Sequence, residues 1–207
     1  MNKDVDFRVY LITDRKVCRE GLEEALEQAL KAGVKAIQLR EKDLPVREFL
    51  QLADRVRMLT KQYGARLFIN DRVDVALAVE ADGVHLGYQS MPVEAVRRVV
   101  GKDMLIGMST HSLKEALDAQ QAKADFVTFG PVFDTPSKRK YGPPQGIEKL
   151  AKVVRELEIP VFALGGIKEE NIPEVLKTGV YGISMISAIL RADDIFEKTK
   201  KIVRLIS

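Results

Sequence analysis

The sequence predicts an α/β fold: one (β/α)8 barrel of the TIM type, formed by a single domain over 1–207. Two observations carry this. Short apolar runs alternate with amphipathic, charge-rich stretches along the 207 residues, giving eight βα units. The even-numbered runs also carry a weak internal repeat, A-I-Q-L-R, G-V-H-L-G, F-V-T-F-G and G-I-S-M-I. A doubly wound open sheet would share the alternation but not the repeat.

The strands are expected at 8–13, 36–40, 66–70, 83–87, 105–109, 125–130, 160–165 and 181–187. Helical patterns fill the gaps, at roughly 20–32, 45–63, 72–79, 92–100, 112–122, 146–157, 169–178 and 193–205. In 45–63 the residues Val46, Phe49, Leu50, Leu52, Ala53, Val56, Met58 and Leu59 recur at helical spacing. Asn70-Asp71 and Ser112 suit helix caps, and Pro92 and Pro173 suit first turns.

The repeat predicts more than the elements. Its third column is Gln38, His85, Thr128 and Ser184, polar in every copy. The flanking columns, Ile37/Val84/Val127/Ile183 and Leu39/Leu86/Phe129/Met185, are apolar in every copy. Side chains alternate faces along a strand, and alternate strands of such a barrel share an interior layer. The polar four should therefore form one layer, with the apolar columns facing the helices. Arg40, Gly87, Gly130 and Ile186 should form the next layer, at the mouth, where two glycines would leave room for a ligand.

Composition narrows the function. Lys and Arg total 33 against 30 acidic residues, and the net charge of +3 has no clustered basic run. That excludes an electrostatic nucleic-acid binder. The single cysteine, Cys18, cannot form an internal disulfide and is expected to be inert, as in a reducing cytoplasm. The N-terminus has no apolar signal core, and no run approaches the ~18 apolar residues of a membrane span. A soluble, cytoplasmic protein is expected.

Barrel sites lie at the C-terminal ends of the strands. Those ends carry Asp14, Arg40-Glu41-Lys42, Asn70-Asp71, Ser109-Thr110-His111, Gly165-Gly166 and Ser187. The set is rich in cations and hydrogen-bond donors and suits an anion such as phosphate. Gly165-Gly166 and the end of the eighth strand fall where these barrels commonly hold a phosphate. The loop 129–146 mixes Gly, Pro, Thr, Ser and Lys and has the length of a lid. Lys138 could close over a charged leaving group, with Thr135 and Ser137 on its oxygens. His85, mid-strand, reads as a satisfied interior histidine. His111, past a strand end, is either near the ligand or a cap.

Seven motifs then occur in order: Q-L-R-E-K, N-D-R-V-D-V-A-L, A-D-G-V-H-L-G, S-T-H-S, F-G-P-V-F-D-T-P-S-K, L-G-G-I and G-I-S-M-I-S-A-I. Together they resemble the thiamine-phosphate synthase and thiazole tautomerase superfamily, from about residue 8 to 192. The synthases are the nearer branch. The resemblance implies a transferase that joins hydroxymethylpyrimidine pyrophosphate to a thiazole phosphate, with Mg²⁺, and releases pyrophosphate. It implies that Gln38, Arg40, Lys42, Asn70 and Lys138 bind the pyrimidine pyrophosphate and that Asp71 holds the metal. Ser109 would sit near the pyrimidine. Thr135 and Ser137 would contact the thiazole, and Gly166, Ser184, Ile186 and Ser187 its phosphate. Arg40, Lys42, Lys138 and Ser109 would carry the catalysis.

Two positions depart from the pattern. A second metal carboxylate usual in the family is Ser90 here, in G-Y-Q-S, with Glu41 and Asp43 as candidates to compensate. Tyr88 replaces a family Gln. The tautomerase's characteristic histidine is Pro131 here, as in the synthases. Four readings follow: the synthase, a thiazole tautomerase-like isomerase, a non-catalytic barrel that binds thiamine-pathway phosphates or a partner enzyme, and, more distantly, another phosphate-binding barrel isomerase or epimerase.

Overall fold

The computed structural model describes residues 4–136, 139 and 142–206. Among them are eight strands: β1 (Val9–Ile12), β2 (Ala36–Leu39), β3 (Arg66–Asn70), β4 (Gly83–Leu86), β5 (Leu105–Thr110), β6 (Phe126–Phe129), β7 (Val161–Leu164) and β8 (Gly182–Met185). Each pairs in parallel with the next, and β1 pairs with β8, closing the barrel. The helices among these residues are α1 (Leu22–Lys31), α2 (Val46–Gln62), α3 (Val73–Ala78), α4 (Val93–Val100), α5 (Leu113–Gln121), α6 (Gly146–Glu156), α7 (Ile172–Leu176), α8 (Ser187–Leu190) and α9 (Ile195–Ile206).

The expected elements are all present, with local differences. Ser187 opens α8 instead of ending the eighth strand. The stretch 169–178 divides into a 3₁₀ turn, Glu169–Asn171, and α7, with Pro173 in its first turn as expected. Pro92 caps α4 from just outside. Ser112 caps α5, its hydroxyl accepting from the Glu115 N–H. Asn70-Asp71 caps nothing; α3 follows Arg72. On α2 the buried face is Phe49, Leu52, Ala53, Val56 and Thr60, while Val46 and Met58 are exposed.

The strand pleat sorts apolar residues into two bodies. Ile37, Leu39, Val84, Leu86, Val127, Phe129, Ile183 and Met185 join the helix residues in the outer core, as the flanking columns predict. A separate inner cluster holds Phe7, Tyr10, Ala36, Phe68, Leu105, Phe126 and Phe162. Phe7, just before β1, plugs the N-terminal end of the barrel. Its ring centroid lies 5.2 Å from Phe162, 5.5 Å from Phe68 and 5.7 Å from Phe126. Strand glycines make room for these rings. A Cβ on Gly83 would lie 2.4 Å from Phe68, and one on Gly182 would lie 2.6 Å from Phe162. Big and small residues thus interlock across neighbouring strands.

Closing one end with rings leaves the other end for polar residues. No helix among the described residues is long and apolar enough to cross a membrane. Phe7→Ala is expected to cost about 3–5 kcal/mol of unfolding free energy by urea titration. A loss below about 1 kcal/mol would contradict the plug.

Candidate active site

Gln38, His85, Thr128 and Ser184 are buried inside the barrel, each no more than 2% exposed. All four turn inward while their flanking columns face the helices, as the repeat predicts. Gln38 Nε2 donates to the Tyr10 hydroxyl at 3.2 Å, and that hydroxyl lies 3.3 Å from His85 Nδ1. His85 Nε2 is 3.0 Å from Ser109 Oγ. His85 is the satisfied interior histidine expected, bonded at both nitrogens. Burial pushes its pKa down to about 3, with Asp71 opposing and Arg40 reinforcing the shift. Ser184 Oγ, in contrast, is buried with no hydrogen-bond partner among the described residues.

Above this layer lies the mouth. At the end of β2, Thr13 organises the chain: its hydroxyl accepts from the Arg40 N–H at 2.9 Å and donates to Glu41 Oε1 at 2.6 Å. Arg15 completes the clasp, reaching Glu41 Oε2 at 3.1 Å and Asp43 at 2.6 and 3.0 Å. Lys16 pairs with Asp43 at 2.7 Å. Arg15 and Lys16 hold the Asp43 carboxyl far below the usual carboxylate range. Glu41 and Asp43 are therefore committed to the β1–α1 loop and do not replace a metal carboxylate. With its acidic neighbours so engaged, the half-buried Arg40 has no ion-pair partner among the described residues. Lys42 is exposed, with Nζ 3.8 Å from Asp71 Oδ2.

Asp71, at the end of β3, adopts φ +62°. That left-handed conformation is uncommon outside glycine and concentrates at functional sites. Its N–H donates to the His85 carbonyl at 3.0 Å. Both carboxylate oxygens are held: Asn70 Nδ2 donates to Oδ2 at 3.0 Å, and the Ser90 hydroxyl donates to Oδ1. Ser90 Oγ in turn accepts from the Gly87 N–H at 2.6 Å. Ser90 thus aims the Asp71 carboxylate. No group of three or more His, Cys, Asp or Glu side chains suited to a metal occurs among the described residues.

The two mouth glycines differ. A Cβ on Gly87 would meet only Ser90 Oγ, at 3.7 Å, so this side is open as expected. One on Gly130 would lie 2.0 Å from the Leu164 carbonyl. Gly130 is glycine because β7 crosses it, and it leaves no ligand space. Gly165 and Gly166 have φ of +95° and +65°, and each Cβ position is filled by the loop after β6, at Pro131 and Phe133. That loop is docked by Val132 N–H to Leu164 O at 2.8 Å and Phe133 N–H to Gly165 O at 3.1 Å. Thr135 lies in the docked part, its hydroxyl donating to Phe133 O at 3.0 Å. Ser137 and Lys138 lie outside the described residues. Ile186 precedes α8 and Ser187 opens it, at the same end of the barrel.

The remaining candidates are peripheral. His111 Nδ1 bonds the Gly130 carbonyl, a clamp between β5 and the next loop. Tyr88 stands on the rim, 81% exposed. Cys18 is half-buried, and burial raises its thiol pKa. Tyr10, Thr13 and Arg15 shape the site but were not singled out by sequence. Tyr10 and Thr13 lie within the predicted first strand, and only their long-range partners distinguish them.

A family model described as thiamine monophosphate synthase matches residues 9–189. The chain belongs to the thiamine-phosphate synthase family. A Geobacter sulfurreducens relative is 52% identical over 203 residues, covering 98% of this chain and 95% of its own. The thiamine-phosphate synthase of Clostridium novyi is 44% identical over 98% of this chain and 100% of its own. Among solved structures, a thiamine phosphate pyrophosphorylase from Pyrococcus furiosus superposes with a TM-score of 0.89, at 42% identity over 97% of this chain and 95% of its own. The barrel fold is thus shared over nearly the whole chain.

The buried histidine yields a pH test. Unfolded, an imidazole takes a proton near ~6.5; in the native barrel it does so only at about 3. Between those values the unfolded state binds more protons, so this group weakens the fold as pH falls through that window. NMR of the histidine rings is expected to show His85 still neutral at pH ~5. A His85 midpoint near ~6.5 would contradict its placement.

Proposed function

We propose that the chain is a pyrophosphate-releasing transferase that joins hydroxymethylpyrimidine pyrophosphate to a thiazole phosphate to give thiamine phosphate, acting in the cytosol. The observation that carries this is Arg40, with no ion-pair partner among the described residues, beside Lys42 and a positive-φ Asp71 at one mouth, in a chain of this family. A diphosphate needs cations and a metal-binding carboxylate together, and these come from the adjacent ends of β2 and β3.

In this reading Arg40, Lys42, Asn70 and Lys138 bind the diphosphate. Gln38, one layer below, supports the pyrimidine end, and Ser109 contacts the ring. Thr135 and Ser137 hold the thiazole. Gly166, Ile186 and Ser187 offer backbone N–H groups to its phosphate, with the unpartnered Ser184 hydroxyl beneath them. First-turn N–H groups of a helix lack internal acceptors, which suits an anion at Ser187. The C–O bond to the diphosphate breaks and its electron pair leaves with the diphosphate. The thiazole nitrogen then donates its lone pair to the pyrimidine methylene, forming the C–N bond. No protein nucleophile is needed. The chain must stabilise growing negative charge on the leaving group and align two rings.

Asp71 fits a Mg²⁺ ion that arrives with the diphosphate, because Mg²⁺ is often held by one or two carboxylates plus substrate phosphates. When bound, the ion would neutralise charge on the leaving group. Ser90 keeps Asp71 aimed through its hydrogen bond, so the missing second carboxylate leaves an oriented first one. The tautomerase reading is disfavoured by Pro131, which packs against Gly165 where that activity would need its histidine.

Arg40→Ala is expected to lower kcat about 10²–10³-fold while changing stability by less than about 0.5 kcal/mol. Turnover near wild type would contradict the assignment. Ser90→Ala is expected to raise the Mg²⁺ concentration for half-maximal rate about tenfold or more. An unchanged Mg²⁺ titration would remove Ser90 from the site.

A further inference from the structure

We propose that Gln38, Tyr10 and His85 form a directed hydrogen-bond chain through the barrel core that fixes Ser109 as an obligate hydrogen-bond donor to the substrate. Tyr10 and His85 are then positioning residues. The inference deepens the transferase reading and rests on it for the identity of the ligand, but the chain itself is a property of the free protein.

Direction follows from counting donors. The amide nitrogen of Gln38 can only donate, and it faces the Tyr10 oxygen at 3.2 Å. The Tyr10 oxygen is thereby an acceptor toward Gln38, and because its only other hydrogen-bond partner among the described residues is His85 Nδ1, 3.3 Å away, its own hydrogen goes there. A neutral imidazole that accepts at Nδ1 carries its hydrogen on Nε2. That hydrogen goes to Ser109 Oγ at 3.0 Å. The Thr128 hydroxyl donates a longer second bond to the same oxygen, at 3.5 Å. One acceptor position of Ser109 Oγ is then filled from below by His85, with the Thr128 hydroxyl set against the other at longer range. Its one unspent capacity is to donate, and Ser109 is partly exposed at the mouth.

The surroundings fix the ring that transmits this. His85 pairs in register with Gly107 of β5, and Ser109 with Thr128 of β6. A Cβ on Gly107 would lie 2.5 Å from His85 Nδ1, so the missing side chain is the space the imidazole occupies. Tyr10 and Phe126 bracket the ring, with centroids at 5.6 and 5.8 Å. Tyr10 itself is fully buried, and burial keeps its phenol protonated. The ligand this arrangement selects presents an acceptor to Ser109, such as a nitrogen of an aromatic heterocycle. A ligand presenting N–H there would meet a second donor and leave both unpaired.

The chain contains two histidines, so nitrogen-labelled histidine gives two assignable rings. Long-range proton–nitrogen correlation on the ligand-free protein is expected to show His85 protonated on Nε2 and bare on Nδ1. The opposite tautomer would reverse the chain and overturn the proposal, with no variant and no turnover required. Tyr10→Phe removes only the bridging oxygen. It is expected to let His85 populate the other tautomer and to lower kcat about tenfold, the worth of one strong hydrogen bond. In a Ser109→Ala background the same change is expected to cost nothing further, because Tyr10 acts through Ser109. An equal loss in both backgrounds would mean a purely structural role and would also overturn the proposal. A wild-type protein with the predicted tautomer and no synthase turnover would refute the transferase reading and leave the directed chain standing.

Discussion

An eight-stranded closed barrel has little interior, and its pleat sends every second residue there. This constraint governs the rest of the molecule. At the N-terminal end the inward residues are rings, interlocked with glycines on the neighbouring strands and closed by Phe7. Midway they become polar, and each buried polar atom must find a partner or cost about 1–3 kcal/mol. Gln38, Tyr10, His85, Ser109 and Thr128 satisfy one another. Ser184, on the β7–β8 side, does not. The interior is thus packed with rings below and cross-linked by hydrogen bonds in the middle, beneath the C-terminal mouth.

The mouth gains its character from what is neutralised and what is left. Glu41 and Asp43 sit beside Arg40 and Lys42 in sequence, yet they turn to Arg15, Lys16 and Thr13 on the preceding loop. Arg40 and Lys42, just past β2, are left without Glu41 or Asp43 as ion-pair partners among the described residues. Across the neighbouring strand end, Asn70 and Ser90 hold the carboxylate of Asp71, whose backbone takes positive φ. In the proposed reaction, a diphosphate entering here would meet charges already in place, the arrangement that stabilises a leaving anion most effectively.

Much of this was legible in the sequence because it depends on period. One polar residue between two apolar ones, repeated on four strands, determines a layer. The strands and Ser112 as a cap follow from local patterns. What was not legible depends on partners far along the chain. Asn70-Asp71 has the composition of a cap, and nothing local says that Asp71 takes positive φ instead. Glu41 resembled a spare metal carboxylate until Arg15, 26 residues earlier, took it. Gly130 looked like ligand space, but β7 fills that volume. Met58 fitted the helical spacing of α2 and still faces solvent. The roles proposed for the rim residues rest on the ordered family motifs; spacing alone indicated only an anion.

The most direct test of the central claim follows both products at once. Purified protein with hydroxymethylpyrimidine pyrophosphate, thiazole phosphate and saturating Mg²⁺ would be monitored by phosphorus NMR. Thiamine phosphate and pyrophosphate are expected to appear together in equal amounts, over many turnovers, with Ser90 in place. Absence of both products, or pyrophosphate released without thiamine phosphate, would contradict it.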